Sequence, residues 1–262
     1  MFEARSRLGR IGLQLLVTLL VIPFLLPLVA MVQGSLVGAG FENYLAVLRV
    51  GSIGTFFLSS AIISAGVILL VYAVTMLTAF GFAKFRIRRK ELYFWLLLAC
   101  LTLPEVVLLA PLFATFVSTG LYDTYWAVIL PLAALQIPFA VLLVRTFIEG
   151  IPDELFEAAR VDGASSWRGF IHLVIPLTRP IAAAVLIFTL IGAWNNYLLP
   201  LVFLQDPAKQ TITLLPSYFI GQFSHDQTKV LASAVITAIP VVVAYLCLQR
   251  LFERGLAAGA IK

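Results

Sequence analysis

Apolar runs of roughly twenty residues, each long enough to cross a bilayer as a helix, recur along nearly the whole chain. Six spans are predicted: 11–32, 53–80, 92–117, 124–144, 181–204 and 230–251. The third and fourth are separated only by a tight turn around Gly120 and Asp123, which predicts an antiparallel hairpin. One long stretch breaks the pattern. Residues 151–180 are polar and charged, and their local chemistry is that of two short helices meeting at a glycine. Pro152, Asp153 and Glu154 favour a helix start, Leu155 to Asp162 continue it, Gly163 supplies a stop, and a second helix begins near Ser165 or Ser166. Within the first helix Ala158 and Ala159 are small enough to let another surface approach closely, and Glu157 sets a carboxylate beside them. The fold class is therefore all-α, a polytopic membrane protein with six transmembrane helices. Its water-exposed docking segment is 151–180, and a tail over 252–262 closes the chain.

Composition agrees with a membrane and excludes a soluble core. Hydrophobic residues make up 61% of the chain and charged residues 12%, about half the usual share in soluble domains; the mean hydropathy is +1.03. The net charge of +5 reports topology, because Lys and Arg are retained on the cytoplasmic side. Arg5, Arg7 and Arg10 precede the first span, and Lys84, Arg86, Arg88, Arg89 and Lys90 follow the second. Arg145, Arg160, Arg168 and Arg179 flank or occupy the polar segment, and Arg250, Arg254 and Lys262 lie at the tail. The opposite face holds only Arg49, Lys209 and Lys229. Both termini and the docking segment are thus expected in the cytoplasm, with the first span kept as a helix and not removed as a signal peptide. No basic surface interleaved with aromatics is present, so nucleic acid is not an expected partner.

Catalytic chemistry is not indicated. No Gly-x-x-x-x-Gly-Lys-Ser/Thr phosphate loop occurs, so ATP is not expected to bind here by that route. His172 and His225 fall on opposite sides of the predicted membrane, and no metal site is expected. Cys100 and Cys247 read as small packing residues inside spans. Asp153, Glu154, Glu157 and Asp162 suit solvation or ion pairing at a helix start better than acid–base work. Inside the membrane, polar groups are costly unless they face protein or water. Glu105, beside Pro104, is either a pathway-facing carboxylate at a broken helix or a buried acid supporting a kink. Trp194, Asn195, Asn196 and Tyr197 form a second patch ahead of Pro200. Amides and rings suit a neutral polyhydroxylated ligand, and equally suit bonding between helices. Pro23, Pro27, Pro104, Pro111, Pro131, Pro138, Pro200 and Pro240 predict bent spans. Ser60 with Ser64, and Ala61 with Ala65, offer small faces for close packing in the second span.

The polar segment carries a resemblance. Glu157-Ala158-Ala159, three residues, Gly163, nine residues, then Leu173-Val174-Ile175-Pro176 closely resembles the EAA loop of binding-protein-dependent ABC importer permeases, with Leu173 and Ile175 where Ile and Leu are usual. Arg145-Thr146-Phe147, Ile151-Pro152, Asp162-Gly163-Ala164, Pro176-Leu177 and Pro180 are similar to the carbohydrate branch, specifically its smaller, maltose-type second permease. Trp194-Asn195-Asn196-Tyr197 and the tail Gly255-Leu256-Ala257-Ala258-Gly259-Ala260 add to the likeness, which spans nearly everything after residue 50. The outer segment 33–52 departs from it by being shorter than is common.

This resemblance implies a type I ABC importer permease fold in a prokaryotic cytoplasmic (inner) membrane. Two six-helix permeases, here a heterodimer, would form the pathway. Two copies of a cytoplasmic ATPase would bind ATP and Mg²⁺, leaving no cofactor on this chain, and an extracytoplasmic binding protein would deliver the solute. Glu157, Ala158, Ala159, Asp162 and Gly163 would couple to the ATPase, and Glu105, Trp194, Asn195, Asn196 and Tyr197 are candidates for the translocation path. The implied cargo is a sugar. A glycerol phosphodiester or phosphate ester in the same architecture is the alternative, and an ion-coupled secondary transporter is a third reading that only Glu105 favours.

Overall fold

A computed structural model describes the backbone over residues 7–221 and 226–260, and side chains over 9–221 and 226–249; His225 lies outside the described residues, as do the side chains of Arg5, Arg7, Arg250, Arg254 and Lys262. Every secondary-structure element among the described residues is a helix. In order these are α1 (Arg7–Ser35), α2 (Glu42–Leu48), α3 (Ile53–Lys84), α4 (Lys90–Ala99), α5 (Glu105–Thr119), α6 (Trp126–Glu149), α7 (Asp153–Val161), α8 (Ser166–Gly169), α9 (Ile175–Leu177), α10 (Arg179–Trp194), α11 (Leu198–Phe203) and α12 (Gln227–Ala260). Short 3₁₀ segments cover Cys100–Thr102 and Ile212–Phe219, and a π-helical turn covers Phe170–Val174.

Four single helices are long and apolar enough to cross a membrane, and the number rises to six if each of two bent pairs is one span. The first, second, fourth and sixth expected spans are α1, α3, α6 and α12, the last running on helically through the expected tail to Ala260. The third is broken: Lys90–Thr102 and Glu105–Thr119 meet at 98°. Pro104, with ψ of 136°, holds the junction extended. In consequence the expected hairpin changes partner. α4 and its 3₁₀ extension pack on α6, whereas α5 packs on α11 through Phe116 and Phe203, whose rings meet edge to face at 5.3 Å. The fifth span is also corrected. α10 ends at Trp194, and residues 195–197 separate it from α11; before it, Ser166–Leu177 meets Arg179–Trp194 at 74°. At that bend Thr178 is fully buried, and its hydroxyl joins its own backbone amide in donating to the Val174 carbonyl, at 2.6 and 2.9 Å, so the buried hydroxyl is satisfied within the turn between Pro176 and Pro180.

The chain divides into two compact units, Met1–Ile53 with Leu215–Ala238, and Gly54–Leu214 with Ile239–Lys262. In the first, the Asn43 carboxamide donates to the carbonyls of Ser35 and Val37 at 2.9 and 3.0 Å, fixing the turn between α1 and α2. A Cβ on Gly34 would stand 2.6 Å from Leu231 Cδ1, so a larger residue there would have to turn the end of that leucine side chain aside. The apolar side chains of α1 are exposed along its length, Leu19 at 68% and Phe24 at 78%, a surface suited to lipid.

The second unit centres on α6, over half of whose span is buried, against a third for α3. Val128, Val141, Val144 and Ile148 of α6 pack with Ile63, Val67 and Val71 of α3 and with Ala184 and Val185 of α10. In lipid such packing gains dispersion and not water exclusion, so close fit matters. The two small faces expected on α3 separate. Ser60 and Ser64 are buried, and Ser60 accepts from the Ile212 amide at 2.9 Å; Ala61 and Ala65 stay exposed.

One end of this unit is closed by Asp123. Gly120 ends α5 with φ of 72°, and Asp123 adopts a left-handed φ of 57°, tolerable for Asp because its side chain bonds locally. Its carboxylate accepts from the amides of Gln205 and Asp206 at 3.0 and 3.2 Å and from Lys209 Nζ at 3.0 Å. Lys209 also donates to the Asp123 carbonyl at 2.8 Å. Burial alone would raise the Asp123 pKa, but these hydrogen bonds, that of Lys209 first, outweigh it and hold the carboxyl below its ordinary 3.8. A lowered pKa means the charged clamp stabilises the fold fully above the ordinary value and is lost as pH falls through the lowered one. Asp123→Ala should lower the thermal midpoint in detergent by roughly 5 °C. That difference from wild type should hold from neutrality to about pH 5 and shrink only in stronger acid.

Candidate functional site

The polar segment folds as its sequence predicts. α7 opens after Pro152 with Asp153 and Glu154 in its first turn, where carboxylates favour the helix dipole. It closes in a Schellman arrangement: the Ala164 amide bonds the Ala159 carbonyl at 2.8 Å, the Gly163 amide bonds that of Arg160 at 3.0 Å, and Gly163 takes φ of 78°. No atom lies within 4 Å of a Cβ built on Gly163, so conformation and not space demands glycine. The Ser165 hydroxyl then accepts from the Arg168 amide at 3.3 Å, capping α8.

Lys84, the last residue of α3, ties this segment to the membrane helices. Its ammonium donates to the Ile151 carbonyl at 2.7 Å and the Asp153 carboxylate at 2.6 Å, and lies 4.7 Å above the Phe156 ring. The hydrogen bond from Lys84, then its charge, holds the Asp153 carboxyl below its ordinary range. Phe80, one turn earlier, stacks on Phe156 at 6.3 Å and meets Phe170 at 5.4 Å, and Phe170 in turn stacks on Trp167 at 5.4 Å. Both short helices are thereby fixed to one helix end. Beside this junction opens a cleft of about 650 Å³, lined by Phe80, Lys84, Arg86, Phe156, Glu157, Ala159, Arg160 and Ser166 among others. Of the five expected coupling residues, Glu157 and Ala159 line the cleft. Ala158, Asp162 and Gly163 are exposed outside its lining. Leu155, Trp167 and Val161 leave 45, 60 and 88% of their surface bare, an apolar patch suited to a partner.

Arg145 strengthens the same end of the unit. It is 7% exposed on α6, pairs with Glu91 at 2.6 Å and Glu149 at 2.8 Å, and sits 4.0 Å over the Phe94 ring. The sequence presents this arginine as a topological charge and as part of the Arg145-Thr146-Phe147 motif; its i, i+4 spacing to Glu149 was the available signal for an ion pair.

A second site lies between the spans. Asn196, in the break after α10, donates its amide to both Glu105 oxygens at 3.0 and 3.1 Å, while its own carbonyl oxygen accepts the Leu199 amide at 3.1 Å and so caps α11. Glu105 stands in the first turn of α5, just past the 98° bend. The two expected polar patches thus meet across 91 residues of sequence. They open onto a pocket of about 370 Å³ whose other lining includes Gln136, Phe139, Phe188, Thr189 and Gly192. The remaining candidates do not line it. Trp194 is buried with its ring 6.3 Å from Phe57, and Asn195 and Tyr197 are exposed. Gln136 and Thr189 escaped the sequence reading, although a lone amide between Pro131 and Pro138 inside a span was the signal for the first.

The family model for the binding-protein-dependent transport system inner membrane component matches residues 73–258. The chain belongs to this family. It is 33% identical to the melibiose/raffinose/stachyose import permease protein MelC of Bacillus subtilis (strain 168), over 85% of this chain and 81% of that one. It is 37% identical to the sn-glycerol-3-phosphate transport system permease protein UgpE of Shigella flexneri serotype 5b, over 76% and 71% respectively. Among solved structures, a bacterial ABC transporter involved in the import of the acidic polysaccharide alginate superposes with a TM-score of 0.75 over 95% of this chain and 99% of that one, at 22% identity, a likeness of fold. The chain is thus an inner-membrane permease with the ABC importer fold. In this permease the Lys84 junction predicts a measurable rigidity. Lys84→Met should raise amide hydrogen exchange across 153–161 by about tenfold and leave the core of α6 unchanged; equal protection in the two proteins would show that the ammonium does not hold α7.

Proposed function

We propose that this permease imports a sugar or sugar-like solute by alternating access, driven by ATP hydrolysis on a separate cytoplasmic subunit seated against residues 151–180. The observation that carries this reading is the junction of α7 with α3: a small-residue helix turn beside a cleft, bare apolar side chains around it, and an ammonium and ring cluster binding it to a membrane helix. A motor subunit covering Leu155, Val161 and Trp167 would exclude water from them. Glu157 offers that subunit a charge, Ala158 and Ala159 a close approach, and Asp162 and Gly163 the turn that ends the contact.

Movement of the segment then passes to α3 through Lys84 and Phe80, and to α10 through the bend at Thr178, as rigid-body rocking of spans. ATP and Mg²⁺ belong on the partner, and no catalytic step is assigned to this chain. Two ATPase copies, a second and different permease subunit, an extracytoplasmic binding protein and the surrounding lipid complete the assembly, with both termini of this chain in the cytoplasm. Kinship with melibiose, raffinose and stachyose permeases supports a sugar cargo; the 37% identity to a glycerol phosphate permease keeps a phosphate ester as the second reading.

Ala159→Trp would fill the cleft wall with a bulky ring, and Gly163→Pro would forbid the left-handed turn. Each is expected to cut uptake by the assembled importer more than about tenfold and to abolish stimulation of its ATPase by loaded binding protein, with the permease still in the membrane. Normal uptake and stimulation in both variants would refute the coupling assignment.

A further inference from the structure

We propose that the pocket between Glu105, Gln136 and Asn196 sorts solutes by charge, accepting neutral hydroxyl-bearing molecules and turning away anions. The inference rests on the importer reading and decides between its two cargoes. A volume near 370 Å³ falls within the range of small-molecule sites. Its lining has one ionisable group, Glu105, and no Lys or Arg, and among the described residues no ion pair involves Glu105.

Donor and acceptor chemistry does the sorting. A carboxylate has about four lone-pair positions and only accepts; the Asn196 amide reaches both oxygens but leaves positions over. Gln136 presents the complementary need, since its Nε2 is buried without a hydrogen-bond partner. A hydroxyl group both donates and accepts, so a polyol serves Glu105 and Gln136 together. The phosphate of a phosphate ester, or a free carboxylate, serves Gln136 but not Glu105 and adds a like charge in a site of low polarizability, where repulsion is poorly screened. The aromatic edge of the pocket, Phe139 and Phe188 meeting edge to face at 5.8 Å, offers the C–H face of a ring an apolar wall. Gly192 sets the amide in place: a Cβ there would lie 3.2 to 3.3 Å from the Gln136 carboxamide atoms.

The test reads the pocket without needing the natural solute. In native membranes, with Cys100 and Cys247 replaced by Ser, the variant Gln136→Cys is treated with neutral hydroxyethyl and anionic sulfonatoethyl methanethiosulfonate, each rate divided by that with free cysteine. The anionic reagent should be slower than the neutral one by about tenfold, and adding Glu105→Gln should bring the two within about twofold. Thr189→Cys, on the facing helix, provides a second reporter should the first variant not accumulate. Equal rates for the two reagents, a preference that survives Glu105→Gln, or a thiol that neither reagent reaches would each overturn the proposal. Rates are taken without nucleotide, so they stand apart from the uptake and ATPase measurements that test the coupling segment.

Discussion

An ammonium group set on an aromatic cluster ties α7 to the end of the membrane helix α3. Lys84 stands where α3 ends, and its side chain is 10% exposed, whereas the Asp153 carboxylate it meets is 79% exposed. Such a group must spend its donors inward, and it does so on the Ile151 carbonyl and Asp153. The Phe156 ring beneath it adds a cation–π contact. An ion pair at the surface alone would add little. Here the pair is one face of an aromatic cluster of Phe80, Phe156 and Phe170 that grips both short helices at once. Displacing α7 without α3 would therefore break several contacts together, which is the property a force-bearing joint requires.

The same economy of polar groups explains how the membrane helices tolerate their breaks. Lipid offers no partners to freed amides and carbonyls, so irregular backbone survives only where protein or a water-lined cavity supplies them. At the bend before α10 the Val174 carbonyl takes both the amide and the hydroxyl of Thr178, so the buried hydroxyl there also has its partner. At the break after it Asn196 caps α11, its backbone carbonyl takes the Thr213 hydroxyl at 2.9 Å, and its amide reaches Glu105. The second break is thus also the polar floor of a pocket, so that satisfying the backbone and lining the cavity use the same residue.

Much of this was legible in the sequence, and for identifiable reasons. Four of the six expected spans, the helix–turn–helix form of 151–180 and the role of Gly163 as a left-handed turn follow from local rules of length, helix starts and stops. Glu105 and Asn196 stood out because charge and amides inside a span are costly. What sequence did not carry was geometry set by packing. Pro104 announced a bend, but its 98° angle and the resulting exchange of α5 for α4 beside α6 depend on α11, far along the chain. The continuous fifth span failed because Asn195 and Asn196 have apolar flanks that mask a true break. Gln136 went unnoticed among prolines and leucines, and the roles of Lys84 and Arg145 were hidden because a topological count treats every basic residue alike. The short α2 helix left no periodic signal in its seven residues.

The account turns on α7 and the Lys84 end of α3 moving as one body. Spin labels on Ala158→Cys of α7 and Leu77→Cys, exposed in the last third of α3, in a complete importer lacking other thiols, give that distance by pulsed electron resonance with and without trapped nucleotide. A second pair linking Ala158→Cys to Thr119→Cys reports movement of the segment relative to the far end of α5. The account predicts an unchanged first distance while the second shifts; a first distance that changes with nucleotide, the second staying fixed, would contradict it.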